Sequence, residues 1–494
     1  MLPYSNLLTL DRAASIAVYQ QIANQLVSLI RDGLLKAGMK LPSSRELANL
    51  LQVHRKTVTA AYDELAVQGW IVSHPKKGMF ISTVLPELDP KRWSRQPLSQ
   101  EQDNRVPFFY TMAHAKNFEP PISLGYYDWV IDDGLPDARL APLDTLLRDY
   151  KSRIQKKNIY KGSANTPSAG SLLLREALVN YLADTRGMAV NTDQLLITQG
   201  AQMGIYIAAR LLLRPGDMVV VGEPGYFMAN QVFEQLGAKI IRVVVDSEGL
   251  VVDQVAEICK KQKINMLYVI PHHHHPTTVT LSPQRRMQLT QLAEQYRFFL
   301  VEDDYDYDFH YQSSPYLPLA SSCNNHVIYI GSLTKCLAPF LRVGFMSGPK
   351  IIIDEAIKLR RQINLRGDFM MEDALATLIT TGDLGRHIKK SVSIYNRRRD
   401  CVDHLMRREL TDIVDFSLPS GGMAIWLRFH PAYSLKQLAQ QVAKDGLLMS
   451  DGSKYNTDQQ DYNALRFGFA SLDINELETV VQIIQSAAKK LASG

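Results

Sequence analysis

A lysine that could act as a reactive amine lies within residues 331–344, which read GSLTKCLAPFLRVG. Lys335 follows the apolar residues 326–330, which predict a β-strand, so its side chain can project from the strand end into a cleft. A lysine held in its neutral state can form an imine with an aldehyde. Ser332 precedes it and Arg342 follows it, and a hydroxyl with a planar guanidinium can bind a phosphate. The residues therefore indicate a reactive lysine beside a possible phosphate site, with a surface lysine as the alternative.

An acidic run, residues 302–308, follows a second apolar stretch at residues 298–301. Carboxylates at this density are the ligands that a divalent metal prefers. Their position directly after a predicted strand is also typical of a carboxylate that pairs with a molecule bound at the strand end. We favour the second interpretation and expect no resident metal.

Four consecutive histidines, residues 272–275, also suggest a metal site. Neighbouring residues of an extended chain point to opposite faces, so only alternate histidines could converge on one ion. We therefore expect these imidazoles to donate or accept hydrogen bonds and not to bind a metal.

A second phosphate-binding segment is predicted at residues 198–202, between a strand and the helix of residues 203–213. Backbone N–H groups at the start of a helix favour an anion. Gly200 allows a close approach of that anion, and Ala201 and Gln202 supply the amides.

The first 84 residues predict a separate set of helices and strands, which indicates a second function. Apolar residues recur with a helical period over residues 18–35, and a capping-box pattern starts a second helix over residues 43–51. A third helix is predicted over residues 54–68. Two alternating runs, residues 70–73 and 79–82, are joined by a basic, glycine-containing tip and predict a hairpin. This order is that of a winged helix-turn-helix, whose third helix enters the major groove of DNA.

Positive charge supports this interpretation only weakly. The first 84 residues hold nine Lys and Arg against five Asp and Glu, in a chain of net charge +5. Such an excess suits the phosphates of double-stranded DNA, although a solvated, charged surface is the alternative. Side chains near the start of the third helix can contact base edges or phosphates, and others are better placed for phosphates. The candidate DNA-contacting residues are Arg45, His54, Arg55, Lys56, Thr57, Thr59, Lys76 and Lys77.

The rest of the chain predicts a different architecture. Residues 85–120 are polar and rich in proline, which indicates a linker. Residues 121–494 alternate helical stretches with β-branched runs, which indicates an α/β domain with a mainly parallel sheet. No apolar run approaches the roughly 18–20 residues of a membrane span. The four cysteines are scattered and contain no CxxC, so we expect free thiols and a cytoplasmic protein.

Two sets of motifs carry a family resemblance. Residues 14–84, with LPSSRELANLLQVHRKTVTAAYDELAVQGWI and KKGMFIS, resemble the GntR-type winged helix. Residues 121–494 resemble fold-type-I aminotransferases, which use pyridoxal 5'-phosphate (PLP). The order of the two matches the MocR-like branch of GntR regulators. The resemblance implies a multidomain protein, with a winged helix-turn-helix domain over 14–84, a linker over 85–120 and an α/β PLP-dependent transferase domain over 121–494.

The resemblance also implies roles for single residues. Lys335 would form the imine with PLP, Asp303 would pair with the pyridine nitrogen, and Tyr305 would donate to the phenolic oxygen of the ring. Tyr226 would stack on the ring, unless it is a core tyrosine. The residues implied to hold the phosphate are Ser332, Arg342, Gly200, Ala201 and Gln202.

For other residues, either the sequence departs from the family's pattern or the implied role has an alternative. His274 would stand where the family has an amide that bonds the ring oxygen, and its charge would make the cofactor sensitive to pH. Tyr160 would reach the phosphate of the opposite subunit, which implies a homodimer. Arg466 would bind the carboxylate of an effector, with a structural ion pair as the alternative. At the start of the third helix, His54 stands where the family has Ser, a better N-cap.

The function implied is a DNA-binding, PLP-dependent transcription regulator. It would sense a small amine, an amino acid or PLP itself through the bond between Lys335 and the cofactor. The alternative is an active aminotransferase that carries a DNA-binding domain, so turnover by the chain is left open.

Overall fold

The computed structural model describes residues 3–12, 14, 16–85, 127–155, 167–311, 315–322, 325–457 and 459–492. The chain divides into two compact units, Met1–Ala113 and His114–Gly494. Apart from Leu85, the predicted linker lies outside the described residues, as does Tyr160. Within the part of the chain that the structure describes, no helix is both long and apolar enough to cross a bilayer.

The first unit consists of short helices followed by a hairpin. Its elements are α1 (Tyr4–Leu7), α2 (Val18–Arg31), α3 (Ser44–Leu51), α4 (Arg55–Val67), β1 (Ile71–His74) and β2 (Gly78–Ile81). The two strands pair in antiparallel orientation. The predicted helices and hairpin are thus confirmed, and α1 is an addition that the sequence pattern did not indicate.

The core of the first unit explains this arrangement. Leu26 of α2, Leu47 of α3 and Leu65 of α4 are fully buried against one another's helices. Ser43 and Glu46 form the predicted capping box, in which each side chain bonds the backbone N–H of the other residue. The cap fixes where α3 begins and hence the angle at which it meets α4.

The second unit is an α/β fold. Its strands are β3 (Trp129–Val130), β4 (Leu195–Thr198), β5 (Met218–Glu223), β6 (Lys239–Asp246), β7 (Gly249–Leu250), β8 (Met266–Val269), β9 (Phe299–Asp304), β10 (Val327–Ser332), β11 (Gly344–Ser347), β12 (Val414–Phe416), β13 (Ala424–Phe429), β14 (Leu447–Leu448) and β15 (Ala464–Gly468). Its helices are α5 (Leu143–Ile154), α6 (Leu172–Arg186), α7 (Ala201–Leu212), α8 (Phe227–Gln235), α9 (Val252–Lys261), α10 (Pro283–Tyr296), α11 (Lys350–Asn364), α12 (Phe369–Thr380), α13 (Asp383–Glu409), α14 (Leu435–Lys444) and α15 (Ile474–Ala492).

The large sheet has the strand order β4-β11-β10-β9-β8-β5-β6-β7. Strands β6, β5, β8, β9 and β10 are parallel to their neighbours in this series, whereas β11 lies antiparallel to both β10 and β4. Every residue of β4, β8 and β10 is buried, because helices cover both faces of the sheet. The predicted, mainly parallel sheet is confirmed, with β11 as an unpredicted antiparallel insertion.

The sheet brings several segments to one edge. β9 ends at Asp304, next to the end of its parallel neighbour β10 at Ser332. Because β11 is antiparallel to both β10 and β4, β4 runs in the same direction as β10, and it ends at Thr198 on the same edge. Ligands of open α/β sheets bind beyond these carboxyl ends.

Two smaller sheets complete the second unit near that edge. β12, β13 and β15 form an antiparallel sheet that carries Arg466, and β3 pairs in parallel with β14. The segment after β3 is attached to β15, since Gly468 N–H donates to the Asp132 carbonyl at 2.9 Å. Residues 132–135 are thereby held against the end of the large sheet.

Candidate functional site

A cavity of about 260 Å³ lies at the carboxyl edge of the large sheet. Residues at the ends of β9 and β10, at the start of α7 and in the segment after β3 line it. The predicted site residues that line it are Lys335, Asp303, Tyr305, Ser332, Arg342, Tyr226, Ala201 and Gln202. Residues distant in the sequence therefore meet in one space, as the strand-end positions predicted.

Lys335 is held as a reactive amine. Burial, and then the nearby Arg466 guanidinium, lower the pKa of Lys335 below its usual value. Its Nζ donates to the Gly134 carbonyl at 2.5 Å and lies 5.5 Å from the centre of the Tyr305 ring. A lysine with a lowered pKa offers more of the neutral amine that attacks an aldehyde.

The start of α7 and Arg342 form a place for an anion. Gly200 has φ +79°, and a Cβ atom there would lie 2.9 Å from a terminal nitrogen of Arg342. A Cβ at Gly344, which pairs with Thr198 across β4 and β11, would lie 2.8 Å from the Gly200 carbonyl carbon. Both glycines are thus required for close contact between the segments that carry the α7 amides and Arg342. Backbone N–H groups and a guanidinium directed at one point favour a phosphate.

Asp303 is oriented by a residue that the sequence analysis missed. Tyr268 of β8 donates to Asp303 Oδ2 at 2.6 Å. The other oxygen, Oδ1, is buried and has no hydrogen-bond partner among the described residues. Burial raises the pKa of Asp303 to about 7, against the opposing effect of the Tyr268 hydrogen bond. A tyrosine inside the otherwise apolar strand β8 was the available signal for this support.

The histidine turn corrects one prediction. His275, and not His274, lines the cavity. His274 Nδ1 lies 3.0 Å from Thr277 Oγ1, whereas His275 Nε2 lies 2.9 Å from Asp133 Oδ2. The prediction took His274 from the family's amide position, but His273 has φ +44°, which turns the backbone within this segment.

The charge state of this turn also differs from the expectation. Burial lowers the pKa of His274 to about 3 and that of His275 to about 4. Both rings are neutral near pH 7, so the expected pH sensitivity of the cofactor at this turn is wrong. A carboxylate can only accept, so the proton of neutral His275 resides on Nε2 and leaves Nδ1 as an acceptor. An amide donor is therefore replaced here by an imidazole acceptor.

The remaining acids and histidines of the two runs bind one another. His272 Nδ1 lies 3.0 Å from Asp304 Oδ1, and His273 Nδ1 lies 2.9 Å from Asp306 Oδ1. Glu302 accepts from two backbone N–H groups of the loop after β9. Among the described residues, no three acidic, histidine or cysteine side chains are arranged as a metal site. These residues organise the wall behind Asp303.

Tyr226 and Tyr305 both line the cavity. The Tyr226 ring meets the His275 ring edge to face, with 4.9 Å between the ring centres. The Tyr305 hydroxyl donates to the His273 carbonyl at 3.0 Å and accepts from Arg466 at 2.8 Å. In this structure the Tyr305 hydroxyl thus bonds groups of the protein itself, the His273 carbonyl and the Arg466 guanidinium. Its contact with the ring oxygen of a cofactor stays a prediction.

Arg466 lies behind the cavity wall. Its side chain is 0% exposed and does not reach the cavity surface, whereas the side chain of Asp133 is 32% exposed and lines it. Arg466 Nε lies 3.5 Å from Asp133 Oδ1, and a terminal nitrogen donates to the Pro276 carbonyl at 3.3 Å. Asp133 was not predicted as a site residue; the pair of aspartates before Gly134 was the signal available in the sequence.

The first unit presents the predicted DNA-contacting residues at its surface. Arg45, His54, Arg55, Lys56, Thr59, Lys76 and Lys77 are exposed, and Thr57 is half-buried. His54 acts as the N-cap of α4, because its Nδ1 accepts the Lys56 backbone N–H at 3.2 Å. The imidazole thus takes over the capping role that a serine hydroxyl performs.

Comparison with known proteins decides what the second unit is. The model of the family "Aminotransferase class I and II" matches residues 143–484. The chain belongs to this family. A second model, of the bacterial regulatory proteins of the gntR family, matches residues 18–81. The chain therefore joins a GntR-type winged helix-turn-helix to an aminotransferase domain, which is the MocR-type arrangement, and the aminotransferase domain implies PLP as its cofactor.

Relatives share this arrangement over nearly their whole length. The uncharacterized HTH-type transcriptional regulator YdfD of Bacillus subtilis is 27% identical, with 96% of this chain and 97% of YdfD covered. The probable rhizopine catabolism regulatory protein MocR of Rhizobium meliloti is 26% identical, with 99% of this chain and 97% of MocR covered. Among solved structures, the kynurenine aminotransferase of Pyrococcus horikoshii matches with a TM-score of 0.67 and 27% identity, covering 73% of this chain and 90% of that one.

Proposed function

We propose that this chain is a transcription regulator that binds double-stranded DNA through its first unit and responds to a primary amine, or to PLP itself, in its second. The observation that carries the proposal is the coexistence of two sites in one chain. The capped start of α4 exposes cationic side chains, while the cavity gathers Lys335, Asp303 and Arg342. A metabolic enzyme has no need of the first site, and relatives that match over nearly the whole chain are named as regulators.

The described residues fit PLP. Arg342, Ser332 and the first amides of α7 would hold the phosphate, and the unpartnered Oδ1 of Asp303 would accept a hydrogen bond from the protonated ring nitrogen. Lys335 lies in the same cavity with a lowered pKa. When bound, PLP supplies an aldehyde that condenses with a primary amine, and a ring that withdraws electrons while its nitrogen is protonated.

We further propose that the protein is a homodimer. A second hollow adjoins the cavity, and Gln202 and Arg342 line both. The side-chain oxygens of Gln202 and of Gln231, which also lines this hollow, are buried without hydrogen-bond partners among the described residues. Amide groups left unsatisfied beside a phosphate-binding arginine suit contact with a second copy of the chain. Two copies would also present two winged helices to a DNA site with two halves.

Regulation of this kind requires that the dimer adopt two conformations that differ in their affinity for an amine and for DNA. A ligand in the cavity would alter the contacts of the cavity wall and thereby shift the preferred separation of the two winged helices. Such a regulator would act in the cytoplasm, where bacterial DNA is accessible.

Turnover as an aminotransferase is the second candidate function. It is favoured by the lowered pKa of Lys335 and by the placement of Asp303 in the same cavity. Repeated transfer of amino groups from an amine donor to a keto acid would establish it. A single conversion of the bound cofactor without further turnover would support sensing.

The test of the main proposal combines colour with DNA binding. Wild-type protein reconstituted with PLP should be yellow, and Lys335→Ala should abolish the absorbance of the lysine-bound cofactor completely. Lys358→Ala, at an exposed lysine of α11, is the matched control and should stay yellow. A colourless wild type would refute the cofactor site.

DNA binding is measured on the same preparations. The affinity of the protein for the region upstream of its own gene should fall steeply as salt rises, because phosphate contacts release counterions. Absent binding, or binding that salt does not weaken, would contradict the regulatory role while leaving the cofactor site intact.

A further inference from the structure

We propose that the cavity takes primary amines that carry no carboxylate on the carbon bearing the amine, and that Asp133 determines this selectivity. The inference rests on the proposed binding of PLP at Lys335. It opposes the expectation that Arg466 binds an effector carboxylate, which would make amino acids the preferred ligands.

The first step is the position of Asp133 relative to Arg466. The Asp133 carboxylate lines the cavity with a 32% exposed side chain, and the Arg466 guanidinium lies behind it with none of its side chain exposed. A carboxylate that entered the cavity would therefore meet a carboxylate before it met the guanidinium. Bringing like charges together in this way disfavours binding.

The second step is how firmly Asp133 is held. Its Oδ1 accepts from the Tyr455 hydroxyl at 2.8 Å, and its Oδ2 lies 2.9 Å from His275 Nε2 and 3.4 Å from Lys454 Nζ. Burial acts to raise the pKa of Asp133, but the surrounding His275, Lys454 and Arg466 outweigh it and hold the pKa below the usual range. Asp133 is therefore ionised near pH 7, and a ligand that displaced it would have to replace all these contacts.

The third step is to identify which charged side chain of the cavity would have no partner on PLP. Of the charged side chains that line the cavity, Arg342 would take the phosphate, Lys335 the aldehyde and Asp303 the ring nitrogen. Asp133 is then the remaining charged group on the wall formed by the described residues, and Leu135 and Ile270 are apolar lining beside it. Such a wall suits an alkyl amine and disfavours an anion next to the reacting nitrogen.

Replacement of the Lys335 nitrogen by the nitrogen of the incoming amine needs no further reactant. With PLP held on Lys335, an incoming primary amine would replace Nζ on the same carbon: the double bond from that carbon to Nζ would break as the one to the incoming nitrogen forms, and the two hydrogens of the amine would pass to Nζ.

The experiment compares two probes that differ only in the carboxylate, 1-aminopentane and L-norleucine. Each is titrated against the absorbance of the lysine-bound cofactor in the full-length protein reconstituted with PLP. For wild type, half-saturation with 1-aminopentane should occur at a concentration about 100-fold below that of norleucine, corresponding to about 2.7 kcal/mol.

Asp133→Ala exposes Arg466 to the cavity and should abolish or reverse this ratio through tighter norleucine binding. Asp133→Asn removes the charge but keeps the shape, so it should give an intermediate ratio and also reports if the alanine variant fails to fold. Asp253→Ala, which removes an exposed acid of α9, is the matched control and should keep the wild-type ratio.

Each outcome is decisive. Wild-type protein that binds norleucine as tightly as 1-aminopentane overturns the inference, as does a ratio that Asp133→Ala and Asp133→Asn leave unchanged. Absorbance that neither probe alters also overturns it, while the cofactor site stands. Wild type without any absorbance from lysine-bound cofactor overturns the proposed function itself.

Discussion

Two helix starts in this molecule are suited to phosphate, and they differ in how the helix end is completed. At α4 the side chain of His54 caps the helix, so the phosphates of DNA must be bound by the exposed side chains around it. At α7 the N-cap is Gly200, which has no side chain, and the first helical residues, Ala201 and Gln202, line the cavity with Arg342. A capped, exposed helix end suits many phosphates bound weakly, whereas an uncapped, enclosed one suits a single phosphate bound tightly.

The largest expected effect concerns the enclosed charge of the cavity site. Asp303→Asn should make the cofactor-free protein more stable above pH 7, by roughly 4 kcal/mol, since each unit of pKa shift is worth about 1.4 kcal/mol. The folded pKa of Asp303 is about 7, and the unfolded value is about 3.9. Below pH 4 the carboxyl is neutral in both states. As pH rises from 4 to 7 it ionises only in the unfolded state, so wild type loses stability and the neutral asparagine does not.

Thermal unfolding without PLP at pH 4.5 and pH 8 measures this difference. The advantage of Asp303→Asn should be small at the lower pH and large at the higher one. An advantage that is the same at both would show that Asp303 is not held neutral by burial. Adding PLP should reverse the order, because only the aspartate can pair with a protonated ring nitrogen.

The next effect tests the uncapped helix start. Gly200→Ala should weaken PLP binding by ten- to a hundredfold, because its Cβ would displace the Arg342 guanidinium and forfeit a charged hydrogen bond. Gly216→Ala is the matched control, since Gly216 also has a positive φ, of +90°, but a Cβ there meets nothing within 4 Å. Fluorescence titration with PLP measures both. Equal losses in the two variants would assign the effect to backbone strain and not to the phosphate site.

These cavity residues also show how far the sequence predicts the site. Lys335 and Asp303 could be placed together because each follows an apolar run, and parallel strands end at one edge of a sheet; Arg342 could be added because it lies seven residues after Lys335 in the same motif. The histidine turn could not be assigned, since the choice between His274 and His275 depends on the positive φ of His273. Pairwise contacts across distant segments, such as those of Asp133, follow from tertiary packing that no local pattern records.

The fold of both units was predictable for a similar reason. Strands and helices of the second unit follow local periodicity, and the capping box of α3 is local in sequence. The antiparallel strand β11 was missed because it has only four residues and directly follows the lysine segment. Helix α1 was missed because four residues are too few to show a helical period.

A smaller effect is expected at the exposed site. Lys56→Ala should weaken DNA binding by roughly tenfold and reduce the salt dependence by the equivalent of about one phosphate contact. Lys36→Ala, at an exposed lysine outside the predicted DNA-contacting set, is the control and should change neither. Fluorescence anisotropy with labelled DNA over a series of salt concentrations measures both quantities. Loss of affinity without a change in salt dependence would indicate that Lys56 contacts a base and not a phosphate.

The smallest effect tests the cap itself. His54→Ala should destabilise the first turn of α4 by about 1 kcal/mol, which would accelerate hydrogen exchange of its amides about fivefold. His54→Ser should restore the wild-type exchange rate, because a hydroxyl can accept the same backbone N–H. If both variants exchange at the wild-type rate, the contact of His54 with Lys56 does not cap the helix in solution.

The packing of Gly200 on Gly344 has a consequence for vitamin selectivity. The two segments proposed to hold the phosphate are in direct backbone contact, so their spacing cannot contract around a smaller molecule. Pyridoxal, which has the same ring and aldehyde but no phosphate, would leave Arg342 and the α7 amides facing an empty volume that the fold cannot close. We therefore expect the site to bind PLP in preference to pyridoxal because the distance between the Gly200 and Gly344 segments is fixed, even though the reacting atoms of the two compounds are identical.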